Sequence, residues 1–266
     1  MKDPSLNRLR ICIYSTFYGI PSFTRDSIAN HLDYCNRHQY DYFPDFRKKP
    51  TERQFSWAKV LLGIQLLESN KYEAIFWMDA DSWFLNPQMR LEDWLHNHPE
   101  PIQFTGDEND IFNGGHFLLR NCPESIEWLK ACWQICHSTD PSFVTTHKDS
   151  HHLFDQPGIL AVLGGADPQN PSSWAEGFNA VNGYPGNPLR HQHNFQEAYA
   201  PTNASRCDAA RSLICNRWRA HCKIHPQRAM NSYPWFMGPN DFIVHFVGNT
   251  KHLMTEWRDR FCFYPS

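Results

Sequence analysis

Apolar and polar positions recur with two different periods along the first third of the chain, and together they predict a repeated strand–helix unit. Over Arg8 to Thr16, Leu9, Ile11 and Ile13 alternate with Arg10, Cys12 and Tyr14, the two-residue period of a strand. Thr24 to His38 switches to helical spacing: Thr24 is placed to cap, Asp26 lies in the first turn, and Ile28, Leu32 and Cys35 share a face. Tyr40 to Phe46 reads as a second strand, rich in aromatics, holding Pro44 and followed by Arg47, Lys48 and Lys49. Gln54 to Ser69 predicts a longer helix, because Trp57, Val60, Leu61, Ile64 and Leu67 fall on one stripe. Tyr72 to Met78 is a short apolar run suited to a central strand. Strand, helix, strand, helix, strand is the order of an α/β sheet with parallel strands.

The rest of the chain is less regular. Gly114 to Arg120 predicts a strand, and Pro123 to His137 a helix with Ile126, Leu129, Cys132, Trp133 and Cys136 on its apolar stripe. Ala166 to Arg190 is dense in Pro, Gly and Asn and predicts long loops over one face. Phe242 to Val247 is a late apolar strand. No repeat or low-complexity linker divides the chain, so one domain is expected.

Charge and length narrow the class. The 266 residues carry 25 Lys and Arg against 28 Asp and Glu, a net charge of −3, which is neither the signature of disorder nor the basic excess of a nucleic-acid binder. No apolar run approaches the ~18 residues of a membrane-spanning helix, and the first eight residues have no apolar core of the kind a signal peptide needs. A soluble, cytoplasmic chain is the expectation. The nine cysteines are an odd count and read mainly as buried thiols. For Cys207, Cys215 and Cys222, with His221 and His225 nearby, a zinc site or a local disulfide also stays open, although a paired C-x-x-C is missing.

Candidate chemistry starts at Asp79-Ala80-Asp81, directly after the apolar run. Ligands in open α/β sheets bind outside the carboxyl ends of the strands, and two carboxylates there can hold a hard divalent cation such as Mn²⁺ or Mg²⁺. A polar turn after a strand is the alternative. His245, in the middle of Phe242 to Val247, is either a core histidine bonded to a backbone carbonyl or a third ligand beside the carboxylates. Gly248 would let the backbone pass close to a phosphate, with Lys251 near enough to meet its charge.

The chain resembles glycosyltransferase family 34, which contains fungal α-galactosyltransferases and plant xyloglucan xylosyltransferases. The resemblance runs in order through Trp57-Ala58-Lys59, Phe76 to Asp81, Asn113 to Asn121, Asp155-Gln156, Phe178-Asn179-Ala180 and Phe242 to Gly248. It implies the GT-A nucleotide-diphospho-sugar transferase fold, a Rossmann-like central mixed sheet flanked by helices. The nucleotide-sugar half would be about 1–120 and the acceptor half about 121–266. It further implies retaining transfer of a sugar such as galactose or xylose from a nucleoside diphosphate sugar, a UDP-sugar, to a glycan or glycoconjugate hydroxyl.

Asp79, Asp81 and His245 would be the metal ligands. Lys59, Asn113, Gly114, Gly115, Gly248 and Lys251 would join the two aspartates around the donor, and Asp155 and Gln156 would lie by the anomeric carbon. The leaving phosphate would take the acceptor's proton in a front-face displacement, with no covalent nucleophile assigned. Plain readings stand beside these: a solvated charge for Lys59, a turn for Asn113 to Gly115, and a helix start capped by Asp155.

Departures from the family include Asn249 and Thr250 before Lys251, where a cysteine is usual, and His191 to His225, which has no counterpart. Family members typically carry an amino-terminal Golgi anchor and stem, which the first residues do not suggest: a trimmed anchor would place the chain in the Golgi lumen, and a soluble microbial or viral relative is the alternative. Trp174, Tyr184, Trp218 and Trp235 are candidates for stacking on acceptor sugars. Rival functions are a divalent-metal phosphoesterase built on the same Asp79, Asp81 and His245, and a catalytically silent sugar-binding module.

Overall fold

The protein's structure, a computed structural model, describes residues 8–19, 21–46, 55–106, 110–135, 155–170, 172–182 and 204–261. In chain order its elements are β1 (Ile11–Thr16), α1 (Thr24–His38), β2 (Asp41–Asp45), a 3₁₀ turn (Phe55–Trp57) leading into α2 (Ala58–Glu68), β3 (Ala74–Met78), β4 (Ser82–Phe84) and α3 (Leu91–Asn97). They continue with β5 (Ile102–Thr105), β6 (His116–Arg120), α4 (Pro123–Ile135), α5 (Asp155–Leu163), α6 (Ser173–Asn182) and α7 (Ala204–Arg211). The last are α8 (Asn216–Arg219), β7 (Cys222–His225), α9 (Gln227–Met230), β8 (Ile243–His245) and α10 (His252–Phe261). Cys136, Cys262, Tyr184 and Arg47 to Lys49 fall outside the described residues.

Six strands form one mixed sheet in the order β2-β1-β3-β6-β5-β7. β1 is parallel to β2 and β3, whereas β6 runs antiparallel to both β3 and β5. β4 and β8 pair separately as an antiparallel ribbon. Strand alternation sorts the core into two layers, since successive side chains leave opposite faces of a sheet. Cys12, Tyr14, Ile75, Trp77, Phe117 and Leu119 pack on one side, with α2, α4, α5 and α6. Ile11, Ile13, Ala74, Phe76, Met78 and Leu118 pack on the other, with Tyr34 and Cys35 of α1 and Leu91 and Leu95 of α3. β1, β3, β5 and β6 are buried on both faces, as expected for a sheet covered by helices, whereas the edge strand β2 is largely open to solvent.

Two local expectations are corrected. In α1 the face that turns inward is not the one carrying Ile28 and Leu32, for Leu32 is exposed; it is Thr24, Ser27, Asn30, His31, Tyr34 and Cys35. The reason is the short ribbon beside it. β4 has β8 on one edge, and α1 side chains bond the backbone of the other: Asn30 accepts from Phe84 N and donates to Phe84 O, at 2.7 and 3.1 Å, and His31 Nε2 bonds Ser82 O at 2.8 Å. Burial, opposed in part by the bond to Ser82, pushes the His31 imidazole down to about 4.

The second correction lies inside the stretch expected to be loops, where Ser173–Asn182 is a helix. Trp174, Phe178 and Val181 recur at helical spacing and are buried, a stripe hidden among turn-forming residues. A Cβ at Gly177 would lie 2.6 Å from Ala161 O, so glycine there lets α6 lie close against α5.

Cys207, Cys215 and Cys222 are free thiols. They are not part of any metal-binding group among the described residues. Burial pushes the Cys207 thiol up to about 11, against the pull of Lys223. Among the described residues no helix is long and apolar enough to cross a membrane.

Candidate active site

Strand pairing brings together residues far apart in sequence at the carboxyl end of β3. In the antiparallel β3–β6 pair Met78 faces His116, and one step further Asp79 N donates to Gly115 O at 2.9 Å. In the β4–β8 ribbon Ser82 faces His245, and Phe246 N donates to Asp81 O at 2.8 Å. Lys59 and Asp155 come from the first turns of α2 and α5.

The result is a cluster in which Asp79, Asp81 and His245 each offer one ligand atom, all within 4.8 Å of one another. Asp79 Oδ2 lies 3.6 Å and Asp81 Oδ1 3.4 Å from His245 Nε2. The outward atoms are held by the protein. Asp79 Oδ1 accepts from Trp77 Nε1 at 2.9 Å and pairs with Lys59 Nζ at 3.3 Å, while Asp81 Oδ2 pairs with Lys251 Nζ at 2.8 Å. His245 Nδ1 bonds Asn231 Oδ1 at 2.8 Å. Nε2, the other ring nitrogen, is thereby turned to the two carboxylate oxygens.

Groups of this kind converging on one point repel unless a proton or a cation lies among them, and two carboxylates with an imidazole suit a divalent ion of the Mn²⁺ type. The donor set therefore fits a metal.

Electrostatics point the same way. Burial raises the Asp79 carboxyl above the usual carboxylate range; Lys59 and His245 pull it down, but Asp81 and Asp155 add to the rise. Asp81 stands the other way: burial acts upward, yet His245 and Lys251 together hold its carboxyl below the usual range. A charged Asp79 is thus the member of the cluster that the protein's own groups compensate least.

Lys59 is not the solvated charge of the plain reading. It is buried, pairs with Asp155 Oδ2 at 2.9 Å and donates to Gly114 O at 2.7 Å. Burial lowers its pKa but the two carboxylates outweigh that, so it remains an ammonium. Asp155 does begin a helix, and it also aims its carboxylate into the cluster; the two readings of it coexist. Gln156 Oε1 accepts from Gly114 N at 3.0 Å, and its Nε2 donates to Asp110 Oδ2 at 3.0 Å.

The glycines are required by these neighbours. A Cβ on Gly114 would lie 2.9 Å from Asp155 Oδ2, and one on Gly115 would lie 2.5 Å from His245 Cε1. Asn113 is buried, its Oδ1 accepting from Gly115 N at 2.8 Å and its Nδ2 donating to Tyr233 Oη at 3.1 Å. Gly248 has φ +56°, a left-handed backbone that glycine adopts without strain, and a side chain there would meet open space.

Sequence reasoning missed Trp77, Asn231, Tyr233 and His116. His116 packs edge-on against His245 with ring centroids 5.1 Å apart, and burial pushes its imidazole well below the usual range. Nothing local marks Asn231 or Tyr233; a backbone bridge from Ser232 to Val244 brings their loop to the site.

Residues 19–105 match the model of the galactosyl transferase GMA12/MNN10 family. That segment includes Lys59, Asp79 and Asp81; Gly114, Gly115, Asp155 and His245 lie beyond it. Among curated relatives, a probable xyloglucan 6-xylosyltransferase 1 of Oryza sativa subsp. indica is 35% identical over 112 residues, covering 39% of this chain and 25% of that protein. A xyloglucan 6-xylosyltransferase 1 of Arabidopsis thaliana is 34% identical over 115 residues, covering 40% and 25%. The chain thus spans about a quarter of the length of these relatives. A solved glycosyltransferase involved in the glycosylation of the major capsid of PBCV-1 superposes with a TM-score of 0.55 at 12% identity, covering 93% of this chain and 99% of that one. At that identity the likeness is one of fold, and the fold is of the GT-A type, a mixed central sheet flanked by helices.

Proposed function

We propose, from the match of residues 19–105 to the galactosyl transferase GMA12/MNN10 family, that the chain is a metal-dependent, retaining glycosyltransferase of family 34. Its donor is a nucleoside diphosphate sugar, a UDP-sugar carrying galactose, xylose or a similar residue, and its acceptor is a glycan hydroxyl. The observation that carries this reading is the convergence of Asp79 Oδ2, Asp81 Oδ1 and His245 Nε2, while the remaining polar atoms of the same side chains are anchored to Trp77, Lys59, Lys251 and Asn231.

In this reading Asp79, Asp81 and His245 hold Mn²⁺ or Mg²⁺. When bound, the cation supplies Lewis-acid stabilisation of the departing diphosphate. Asn231 fixes the tautomer and orientation of His245, as outer partners of ligating histidines do. Lys251, half-exposed beside Asp81, turns to a donor phosphate. Gly248, Asn113, Gly114 and Gly115 form backbone surroundings of the donor.

Asp155 stabilises positive charge developing at the anomeric carbon, and Gln156, fixed at both ends of its amide, stands on the reacting face. The ion pair with Lys59 weakens Asp155 as a nucleophile, which favours displacement without a covalent sugar–enzyme intermediate.

The test is transfer from a panel of UDP-sugars to oligosaccharide acceptors, with Mn²⁺ and with a chelator, followed by NMR of the product's anomeric proton. The expected result is metal-dependent transfer in which the new linkage keeps the donor's anomeric configuration. Undiminished transfer under chelation, inversion, or hydrolysis of simple phosphate esters with no acceptor would overturn it.

A further inference from the structure

Trp235 is the large side chain near the cluster that faces solvent most, 53% exposed, whereas Trp174 and Trp218, the other described tryptophans suggested for sugar stacking, are buried in the core. Its loop is nevertheless held firmly. The buried Asp241 carboxylate accepts from Arg228 at 2.7 and 3.0 Å, from Ser232 Oγ and from Gly238 N at 2.9 Å. Phe236 N and Met237 N both bond Tyr233 O, at 3.1 and 3.0 Å, closing a tight turn around the indole. The ring also connects to the site. It packs on Tyr233 with centroids 4.7 Å apart; the Tyr233 hydroxyl accepts from Asn113, and its ring lies 6.1 Å from that of His245.

A rigid, half-exposed indole loses little conformational entropy when covered and has an apolar face to offer. Its loop neighbours Tyr233, Phe236 and Met237 are buried or half-buried. Among the described residues of this loop the exposed apolar area is therefore mainly that of one ring, short of the several hundred Å² of a protein-docking patch. A pyranose ring matches it: one face of C–H groups for the indole, with a rim of hydroxyls left to polar neighbours and water.

We propose that Trp235 is the stacking platform for a pyranose ring of the acceptor glycan, set beside Asn113 and Tyr233 at the edge of the metal cluster. The proposal rests on the transfer reading for the word acceptor, but the binding it asserts does not need transfer to occur.

The test is calorimetric titration of gluco-, galacto- and manno-configured oligosaccharides into the protein with chelator present and no donor, comparing wild type, Trp235→Ala and Trp235→Phe. The expected result is that wild type binds at least one of the sugars, that Trp235→Ala weakens it by about tenfold, and that Trp235→Phe retains most of the affinity. Under turnover, the loss in Trp235→Ala should fall on the acceptor KM rather than on kcat. Because the indole is half-exposed, Trp235→Ala should melt near the wild-type temperature, which separates lost binding from lost folding. Equal affinity of wild type and Trp235→Ala, or binding of none of the sugars by wild type, would overturn the platform. Glycan binding that depends on Trp235 in a protein that never transfers sugar would instead overturn the transfer reading and leave the platform standing.

Discussion

Replacing Asp79 by asparagine should cut sugar transfer by roughly a hundredfold or more, on the scale seen when a single transition-state donor is removed, while the metal-free protein melts at the wild-type temperature or above it. The two effects have opposite signs because Asp79 is the cluster's least compensated charge. Burial, Asp81 and Asp155 all raise its carboxyl pKa against the pull of Lys59 and His245, so the folded protein disfavours the charged form. Asparagine keeps an oxygen for Trp77 Nε1 and Lys59 and removes the charge. Parallel melts with chelator and with Mn²⁺, alongside the transfer assay, check both halves. The Mn²⁺-induced rise in melting temperature expected of wild type should be lost in the variant. A large drop in metal-free stability with transfer intact would show Asp79 to be a structural residue only.

Lys59→Met should act in the reverse sense and cost stability first. Methionine fills similar volume, so the change reports the charge rather than a cavity. It leaves the Asp155 and Asp79 carboxylates and the Gly114 carbonyl without their shared ammonium. Breaking a buried pair in this way costs about 3–5 kcal/mol, or a fall of very roughly ten degrees in Tm for a chain of this size. Adding Asp155→Asn to Lys59→Met should restore part of the loss, because it removes one of the stranded charges; a double-mutant cycle measures that coupling. If Lys59→Met melts like wild type, the ammonium of Lys59 shared between Asp155 and Asp79 is not what holds α2 and α5 at the site.

How far the sequence reaches depends on whether a signal is local. Alternation in β1 and the apolar run of β3 were legible because both are patterns of neighbouring residues, and both strands lie where those patterns put them. Asp79 and Asp81 were legible for a related reason: two carboxylates just after a buried strand need a partner. His245 stood out as an imidazole inside an apolar run. The face of α1 was not legible. Its inward residues are polar because they serve the open edge of β4, and β4 is defined by pairing with β8, some 160 residues later in the chain. Helix α6 was hidden among turn-forming residues, one of which, Gly177, lets it pack closely on α5. Asn231 and Tyr233 reach the cluster through a single bridge to β8, a contact that no window of neighbouring residues encodes. The pairing of Lys59 with Asp155 likewise joins two helix starts that only the folded sheet brings together.

The proposed function stands on one divalent cation held among Asp79, Asp81 and His245. Crystals grown with Mn²⁺ and a UDP-sugar analogue, measured at the manganese absorption edge, test it most directly. A single strong anomalous peak is expected within coordination distance of Asp79 Oδ2, Asp81 Oδ1 and His245 Nε2. An anomalous map with no peak there, or with manganese bound at a place that touches none of the three, would contradict it.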